Sequence, residues 1–323
     1  MSPNGPRFPA FRSKLKTQKR NVEDNAMNIA FIGLGNMGGG MALNQAKAGR
    51  TVRAFDLSAE AVAKAVAGGC VAATSVAEAV AEADVVLTML PAGPHVRKVY
   101  GEQVLPNARP GALLIDCSTI DVDSARAVAT EAQGAGFVFA DAPVSGGTAA
   151  AEAGTLAFMV GCDEAAFAKV EAALSPMSRV TLRAGDHGAG QAAKICNNML
   201  LGISMVGVAE ALALAERLGL DPAQFFEISS KSSGQCWSLT SYCPWPGPVP
   251  TAPSNRGYEG GFATAMMLKD LKLAQDAAAK SGATTPMGAQ AESLYALFDR
   301  LGYGHKDFSA VLQLLRGKLS ELS

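Results

Sequence analysis

A glycine-rich segment follows a short apolar run near residue 28 and precedes a helical pattern. Its G-x-G-x-x-G spacing allows a tight turn, a close approach of the backbone to a ligand, and close packing of the helix on the preceding strand. The free N–H groups at the start of that helix favour an anion such as a pyrophosphate. The segment therefore predicts a dinucleotide-binding turn. Its residues are Gly33, Leu34, Gly35, Asn36, Met37 and Gly38.

An aspartate, Asp56, stands at the end of the next predicted strand, Thr51–Asp56. A carboxylate there can accept hydrogen bonds from the ribose hydroxyls of a dinucleotide. The same charge would repel a 2′-phosphate, and neither Leu57 nor Ser58 is an arginine that could receive one. Arg53 precedes Asp56 inside the strand, where it is less well placed. The sequence therefore predicts NAD rather than NADP.

Two polar side chains, Lys194 and Asn198, lie four residues apart in a largely apolar helical run and so share one helix face. Burial, the dipole at the helix start and a nearby nicotinamide cation all lower the pKa of a lysine. A lysine of lowered pKa can take the proton from an alcohol, while the asparagine holds the hydroxyl. The alternative is a helix-start lysine that reaches into solvent.

Two further features could bind anions. Ser145, Gly146 and Gly147 form a turn that offers a hydroxyl and unhindered N–H groups, which is a small anion nest or an ordinary surface turn. Lys269 lies beside Asp270 in a helical run and, from its neighbours alone, is typical of a solvated lysine.

The elements that must position these residues change type near residue 188. Before it, short apolar runs alternate with helical stretches, which predicts a parallel, doubly wound α/β sheet. After the glycine-rich hinge Gly188–Gly190, one long apolar helix and shorter helices predict an all-α domain. The predicted strands are Asn28–Gly33, Thr51–Asp56, Cys70–Ala72, Asp84–Leu90, Ala112–Asp116 and Phe137–Ala142; the predicted C-terminal helices are Gln191–Leu218, Pro222–Lys231, Ala263–Lys280, Gly288–Leu301 and Asp307–Leu319.

These patterns divide the chain into a basic tail over residues 1–26, expected to be disordered, a cofactor domain over 27–188 and a helical substrate and oligomerisation domain over 189–323. The tail could also be an over-extended start or a transit peptide to the mitochondrial matrix. The Pro/Gly-rich segment Pro244–Gly261 is too long for a simple connection, which favours a functional loop or one that covers a site.

Composition limits the partners. The chain of 323 residues is 49% hydrophobic with a net charge of −1, which indicates neither nucleic acid nor an anionic membrane. No apolar run approaches the roughly 18 residues of a membrane helix. The 3 histidines are far apart, so no metal site is expected, and the 6 cysteines are scattered, as in a reducing compartment such as the cytoplasm.

From about Met27 to Leu319 the chain resembles the β-hydroxyacid dehydrogenase family, whose cofactor domain is a Rossmann fold. The resemblance implies that Lys194 is the catalytic base, that Asn198 holds the substrate, that the turn at Ser145 binds its carboxylate, and that Lys269 contacts NAD. It also implies that Leu90, Pro91 and Thr119 line the cofactor crevice. One departure is His95, where relatives often carry an asparagine that contacts NAD. Four blocks carry the resemblance: Phe31–Gly38, Asp141–Gly147, Gly190–Asn198 and Met267–Leu273.

The segments Ser232–Trp237 and Tyr258–Phe262 resemble the hydroxyisobutyrate branch of the family. The resemblance therefore implies NAD-dependent oxidation of 3-hydroxyisobutyrate to methylmalonate semialdehyde, a step of valine catabolism, and a homodimer or homotetramer. The alternatives are another β-hydroxyacid dehydrogenase, a reductase of tartronate or succinic semialdehyde, and a non-catalytic NAD-binding module. An imine reductase is disfavoured, since such proteins usually replace the lysine that Lys194 provides.

Overall fold

The computed structural model describes residues 27–322. The predictions for residues 1–26, a disordered basic tail or a targeting segment, lie outside the described residues.

The first half of the described chain forms one nine-stranded sheet with the order β3-β2-β1-β4-β5-β6-β8-β7, and β9 pairs with β8. Strands β1 to β6 are parallel, in the order of a Rossmann fold, which confirms the predicted fold class. The strands are β1 (Asn28–Ile32), β2 (Thr51–Phe55), β3 (Val71–Ala72), β4 (Val85–Thr88), β5 (Leu113–Asp116), β6 (Val138–Asp141), β7 (Val144–Ser145), β8 (Leu156–Gly161) and β9 (Ser178–Gly185).

The sheet is not wholly parallel, because β8 runs antiparallel to both β6 and β7. Strands β7, β8 and β9 are missing from the strands predicted from the sequence. The residues of β8 form a short apolar run that periodicity cannot separate from a segment of buried helix, and β7 has only two residues.

Helices cover both faces of this sheet and bury an apolar cluster on each face. One cluster includes Phe31 and Leu87, and the other includes Ile32 and Leu114, so consecutive residues of one strand, Phe31 and Ile32, face opposite sides. The helices are α1 (Gly38–Lys47), α2 (Ala59–Ala67), α3 (Val76–Val80), α4 (Gly93–Val99), α5 (Val122–Gly134), α6 (Gly147–Ala153) and α7 (Glu164–Leu174).

After β9 the described chain is helical, as predicted. The predicted helix Gly288–Leu301 is α-helical only to Phe298, and a π-helical turn with Gly302 at φ 96° follows. The predicted helix Asp307–Leu319 is a 3-10 turn and then a short helix that ends at Gly317, whose φ of 70° is left-handed. The helices are α8 (Ala189–Arg217), α9 (Pro222–Ser229), α10 (Trp237–Thr240), α11 (Thr264–Ser281), α12 (Pro286–Phe298) and α13 (Val311–Arg316).

The long helix α8 is the centre of this second domain and packs against α11, α12 and α13. By length and composition it is apolar enough to cross a membrane, which differs from the expectation that no apolar run approaches that length. The difference arises because small and hydroxyl residues interrupt its apolar runs without lowering its mean hydropathy below that of a membrane helix. A core helix of a folded domain meets the same criterion, and 44% of its most apolar window is buried inside the protein.

Candidate active site

The glycine turn joins β1 to α1. Gly33 has a φ of +93°, and a Cβ there would overlap the carbonyl oxygen of Met89. A Cβ on Gly38 would overlap the carbonyl oxygen of Gly33, whereas a Cβ on Gly35 would meet nothing within 4 Å. The fold therefore requires the outer two glycines, while the middle one leaves an open space beside the backbone, as a cradle for a phosphate group would.

Asp56 follows β2 and is fixed beside this turn. Its Oδ2 accepts a hydrogen bond from the backbone N–H of Leu34 at 2.6 Å, and its Oδ1 accepts one from the N–H of Ser58 at 2.7 Å. A carboxylate has about four lone-pair directions, so it can still accept bonds from ribose hydroxyls. The next side chain, Leu57, is 95% exposed.

The crevice continues along the ends of the strands next to β1. The backbone N–H of Leu90, after β4, donates to the hydroxyl of Ser118 at 2.7 Å, and Pro91 beside it is exposed. After β5, the carbonyl oxygen of Thr119 accepts a hydrogen bond from Lys269 Nζ at 3.0 Å. Lys269 belongs to α11, so this bond joins the helical domain to the cofactor domain. His95 is exposed on α4.

The two polar residues of the α8 face are both buried. Lys194 is 6% exposed and Asn198 is 2% exposed. Asn198 Nδ2 donates to Asp270 Oδ2 at 2.5 Å, which links α8 to α11. The other oxygen of Asp270 is buried without a hydrogen-bond partner, and Lys269 Nζ lies 3.8 Å from it. The solvent-exposed alternative for Lys194 is therefore wrong.

The electrostatics of this cluster favour proton exchange. Burial lowers the pKa of Lys194, the charge of Asp270 opposes that change, and the charge of Lys269 adds to it. Burial likewise raises the pKa of Asp270, against the two lysines and the hydrogen bond from Asn198. A buried amine of lowered pKa loses its own proton more readily, so it can accept a proton from a bound alcohol and release it again.

The predicted anion turn lies between β7 and α6. Gly146 has a φ of +136° and Gly147 a φ of +69°, which are conformations that favour glycine. A Cβ on Gly146 would also lie 2.5 Å from the Cβ of Ala150. The two glycines thus turn the chain directly after Ser145 and leave the N–H groups at the start of α6 unhindered.

A cavity of about 390 Å³ brings several of these groups together. From the predicted set, its wall includes Met37, Thr119, Ser145, Gly146, Gly147, Lys194 and Asn198. The other predicted residues do not line the cavity. They belong to the glycine turn, follow the ends of β2 and β4, or, for Lys269, lie on α11 beside Asp270. They are Gly33, Leu34, Gly35, Asn36, Gly38, Asp56, Leu90, Pro91 and Lys269.

An aromatic wall, formed by Trp237, Tyr242, Phe262 and Phe308, closes the cavity and was not among the predicted site residues. Trp237 stacks on Tyr242 with ring centroids 4.9 Å apart, and Phe308 contacts both Tyr242 and Phe262. Asp307 holds this wall, since its Oδ2 accepts bonds from the Tyr242 hydroxyl and the Phe262 N–H, each at 2.8 Å. The long segment 244–261 adds Thr251, Pro253, Arg256 and Gly261 to the cavity.

Asp270 also lines the cavity and was not among the predicted site residues. It shares the buried face of α11 with Met267, Leu271 and Ala274. An acidic residue at an apolar position of a helix indicates a buried partner, so this spacing was the available signal. Among residues 27–322, no group of three or more His, Cys, Asp or Glu side chains could hold a metal ion.

Two family models match the two halves of the described chain. Residues 28–185 match the family model described as the NAD binding domain of 6-phosphogluconate dehydrogenase. Residues 188–315 match the model described as NAD-binding of NADP-dependent 3-hydroxyisobutyrate dehydrogenase. Together these matches confirm the predicted NAD-binding oxidoreductase.

Relatives match over nearly their whole length. A 3-hydroxyisobutyrate dehydrogenase of Pseudomonas aeruginosa is 50% identical over 90% of this chain and 99% of its own. An NAD-dependent L-serine dehydrogenase of the same species is 49% identical over 88% of this chain and 97% of its own. A solved structure of Mycobacterium tuberculosis 3-hydroxyisobutyrate dehydrogenase with L-serine has a TM-score of 0.88 and 49% identity, and it covers 90% of this chain and 99% of its own. This chain therefore belongs to the 3-hydroxyisobutyrate dehydrogenase family of NAD-dependent hydroxyacid dehydrogenases.

Proposed function

We propose that the protein oxidises 3-hydroxyisobutyrate to methylmalonate semialdehyde with NAD as the oxidant, which is a step of valine catabolism. One observation carries the proposal. The cavity lined by the buried Lys194 and Asn198 is also lined by the turn at Ser145, which is predicted to bind an anion, and by an apolar aromatic wall. A small acid with a hydroxyl group and an apolar branch needs these three features together.

Each polar group of the cavity has a separate role in the proposed reaction. The Ser145 hydroxyl and the N–H groups of Gly146 and Gly147 hold the substrate carboxylate. Asn198, held by Asp270, orients the substrate hydroxyl. Neutral Lys194 takes the hydroxyl proton on Nζ, while the carbon–oxygen bond becomes a carbonyl and the hydrogen on the same carbon leaves as hydride. Bound NAD supplies the acceptor for that hydride.

The cofactor would lie along the edge of the sheet that carries the glycine turn. Residues Gly33 to Gly38 would hold the pyrophosphate, and Asp56 would accept bonds from the ribose hydroxyls. Leu90, Pro91, Thr119 and Lys269 would contact the nicotinamide half. The carboxylate of Asp56, held beside the glycine turn by the N–H of Leu34, supports NAD over NADP, because its negative charge would repel a 2′-phosphate.

The substituent next to the substrate carboxylate separates the candidate substrates. The aromatic wall favours the methyl group of 3-hydroxyisobutyrate, since burying an apolar group against apolar side chains is favourable. A second candidate is L-serine, whose ammonium would gain from the negative charge of Asp270 on the cavity wall. Four aromatic side chains of the cavity wall favour a methyl group, whereas this one carboxylate favours an ammonium and is already bonded to Asn198. We therefore rank 3-hydroxyisobutyrate first.

The test is a steady-state comparison of NAD with NADP across a panel of substrates. The panel contains 3-hydroxyisobutyrate and L-serine for oxidation, and tartronate and succinic semialdehydes for the reverse reaction. We expect the highest kcat/KM with 3-hydroxyisobutyrate and NAD. A higher kcat/KM for any other member would reject the proposed substrate, and no turnover of any member would reject the enzyme reaction.

We also propose that the protein is a homodimer or homotetramer. Helices α8 and α12 leave large apolar side chains exposed in a single chain, among them Leu200, Leu214, Met287 and Leu297. Exposed apolar patches of this kind mark protein interfaces. Light scattering at micromolar concentration should give at least twice the mass of one chain, and a monomer would contradict the proposal.

A further inference from the structure

A glutamine in the first turn of α8, Gln191, is fully buried and bonded at both ends of its amide. Its Nε2 donates to the carbonyl oxygen of Ser118 at 2.7 Å, and its Oε1 accepts from the N–H of Ile120 at 3.0 Å. These two groups flank Thr119, which lies on the cavity wall. The side chain therefore holds both sides of the loop after β5.

The backbone of the same residue is anchored to a different strand. Asp141, at the end of β6, is fully buried and accepts bonds from the N–H groups of Gly188 at 2.7 Å and Gln191 at 2.9 Å. A Cβ on Gly190 would overlap the carbonyl oxygen of Met159, so the helix start lies directly against the sheet. Gln191 thus sits at a fixed point between the ends of β5 and β6.

This fixed point lies one helical turn before Lys194. The same loop is held from the other side, because Lys269 of α11 donates to the carbonyl of Thr119. Helices α8 and α11, which carry Lys194 and Asp270, therefore both form hydrogen bonds to the loop after β5 in the cofactor domain. Displacement of a buried amide that uses both its donor and its acceptor is energetically costly, because it would leave buried hydrogen-bonding groups unpaired.

We propose that Gln191 is a positioning residue that sets the distance between Lys194 and the loop at Thr119, and so aligns proton removal with hydride transfer. Gln191 does not line the cavity, so the proposed role is one of positioning and not of catalysis. The inference rests on the proposed oxidation. It predicts that loss of the amide slows the chemical step while the glycine turn still binds NAD.

The test compares Gln191→Met with a matched control, Gln313→Met. Gln313 is 3% exposed and its amide also makes two bonds, to the Tyr258 hydroxyl at 3.1 Å and from Arg316 at 2.9 Å, but it does not line the cavity. We expect kcat of Gln191→Met to fall about 10- to 100-fold, as for a small misplacement of reacting groups. The deuterium isotope effect from substrate labelled at its carbinol carbon should rise toward its intrinsic value. The Kd of NAD, followed by protein fluorescence without substrate, should change less than about twofold.

Gln313→Met should lower the melting temperature by a similar amount and leave kcat and the isotope effect as in the wild type. Equal kinetic losses in both variants, or a loss of Gln191→Met that lies wholly in NAD affinity, would overturn the inference. If Gln191→Met does not fold, Gln191→Glu keeps the acceptor for Ile120 and should show the same rise in isotope effect; wild-type kinetics in that variant would overturn the inference equally. A wild-type enzyme that turns over no substrate rejects the proposed function instead, before either variant is compared.

Discussion

The cofactor half and the substrate half of the site are built in different ways. The glycine turn and Asp56 lie within about one β-α-β unit, and their hydrogen bonds join backbone N–H groups to one carboxylate. The substrate half combines α6, α8, α11 and the segment 244–261, and its contacts join side chains far apart in sequence. The first half therefore depends on local backbone shape, and the second on how two domains pack.

The largest expected effect is on the substrate half. Lys194→Ala removes the proposed base, so we expect kcat to fall by about 10² to 10⁴-fold, as is typical of general bases. NAD affinity should stay close to that of the wild type, because the glycine turn is unchanged. Steady-state kinetics measures kcat, and NAD titration measures the Kd of the cofactor. Addition of a small alkylamine should restore part of kcat. Near-normal turnover would remove Lys194 from the mechanism.

The next effect is on cofactor choice. Asp56→Asn removes the charge that would repel a 2′-phosphate and weakens bonds to the ribose. The ratio of kcat/KM for NAD to that for NADP should fall by about tenfold or more, since a hydrogen bond to a charged group contributes about 1.5 kcal/mol or more. Asp56 also accepts hydrogen bonds from the N–H groups of Leu34 and Ser58, so the melting temperature is measured as a control for a loss of folding stability. An unchanged ratio would show that another residue selects the cofactor.

Two substitutions within the glycine turn separate binding from folding. A Cβ on Gly35 enters open space, so Gly35→Val should leave the melting temperature close to the wild type but weaken NAD about tenfold, or 1.4 kcal/mol. Gly38→Ala places its Cβ against the Gly33 carbonyl and should lower the melting temperature instead. Calorimetry and NAD titration on both variants decide this, and equal effects would refute the division of roles.

The smallest effect is a shift of the pH profile. The negative charge of Asp270 raises the pKa of Lys194, against the effect of burial. Asp270→Asn removes that charge, so the lysine loses its proton at lower pH. The rising limb of kcat/KM should therefore move to lower pH, by about one unit if the charge contributes about 1.4 kcal/mol. A limb that moves to higher pH would show that Asp270 does not act on Lys194 through its charge.

Much of the molecule was predictable because its signals are local. The strand, glycine turn and helix at residues 28–47 follow from adjacent residues, and so do the length of α8 and the pairing of Lys194 with Asn198 on one face. Strands β7 and β8 were missed because β7 has only two residues and the short apolar run of β8 could equally belong to a buried helix. The aromatic wall was missed because its four rings come from three separate segments, which Asp307 holds together.

By itself the sequence determined the chemistry available to this protein: a backbone cradle for a dinucleotide, an acid to select it, and a lysine with an asparagine one turn away. These depend on the spacing of neighbouring residues, which the covalent chain sets. Only the tertiary structure decided that Lys194 is buried beside Asp270 and that Gln191 connects its helix to the loop at Thr119. Burial and long-range hydrogen bonds depend on the packing of the two domains, which brings together residues from distant parts of the chain.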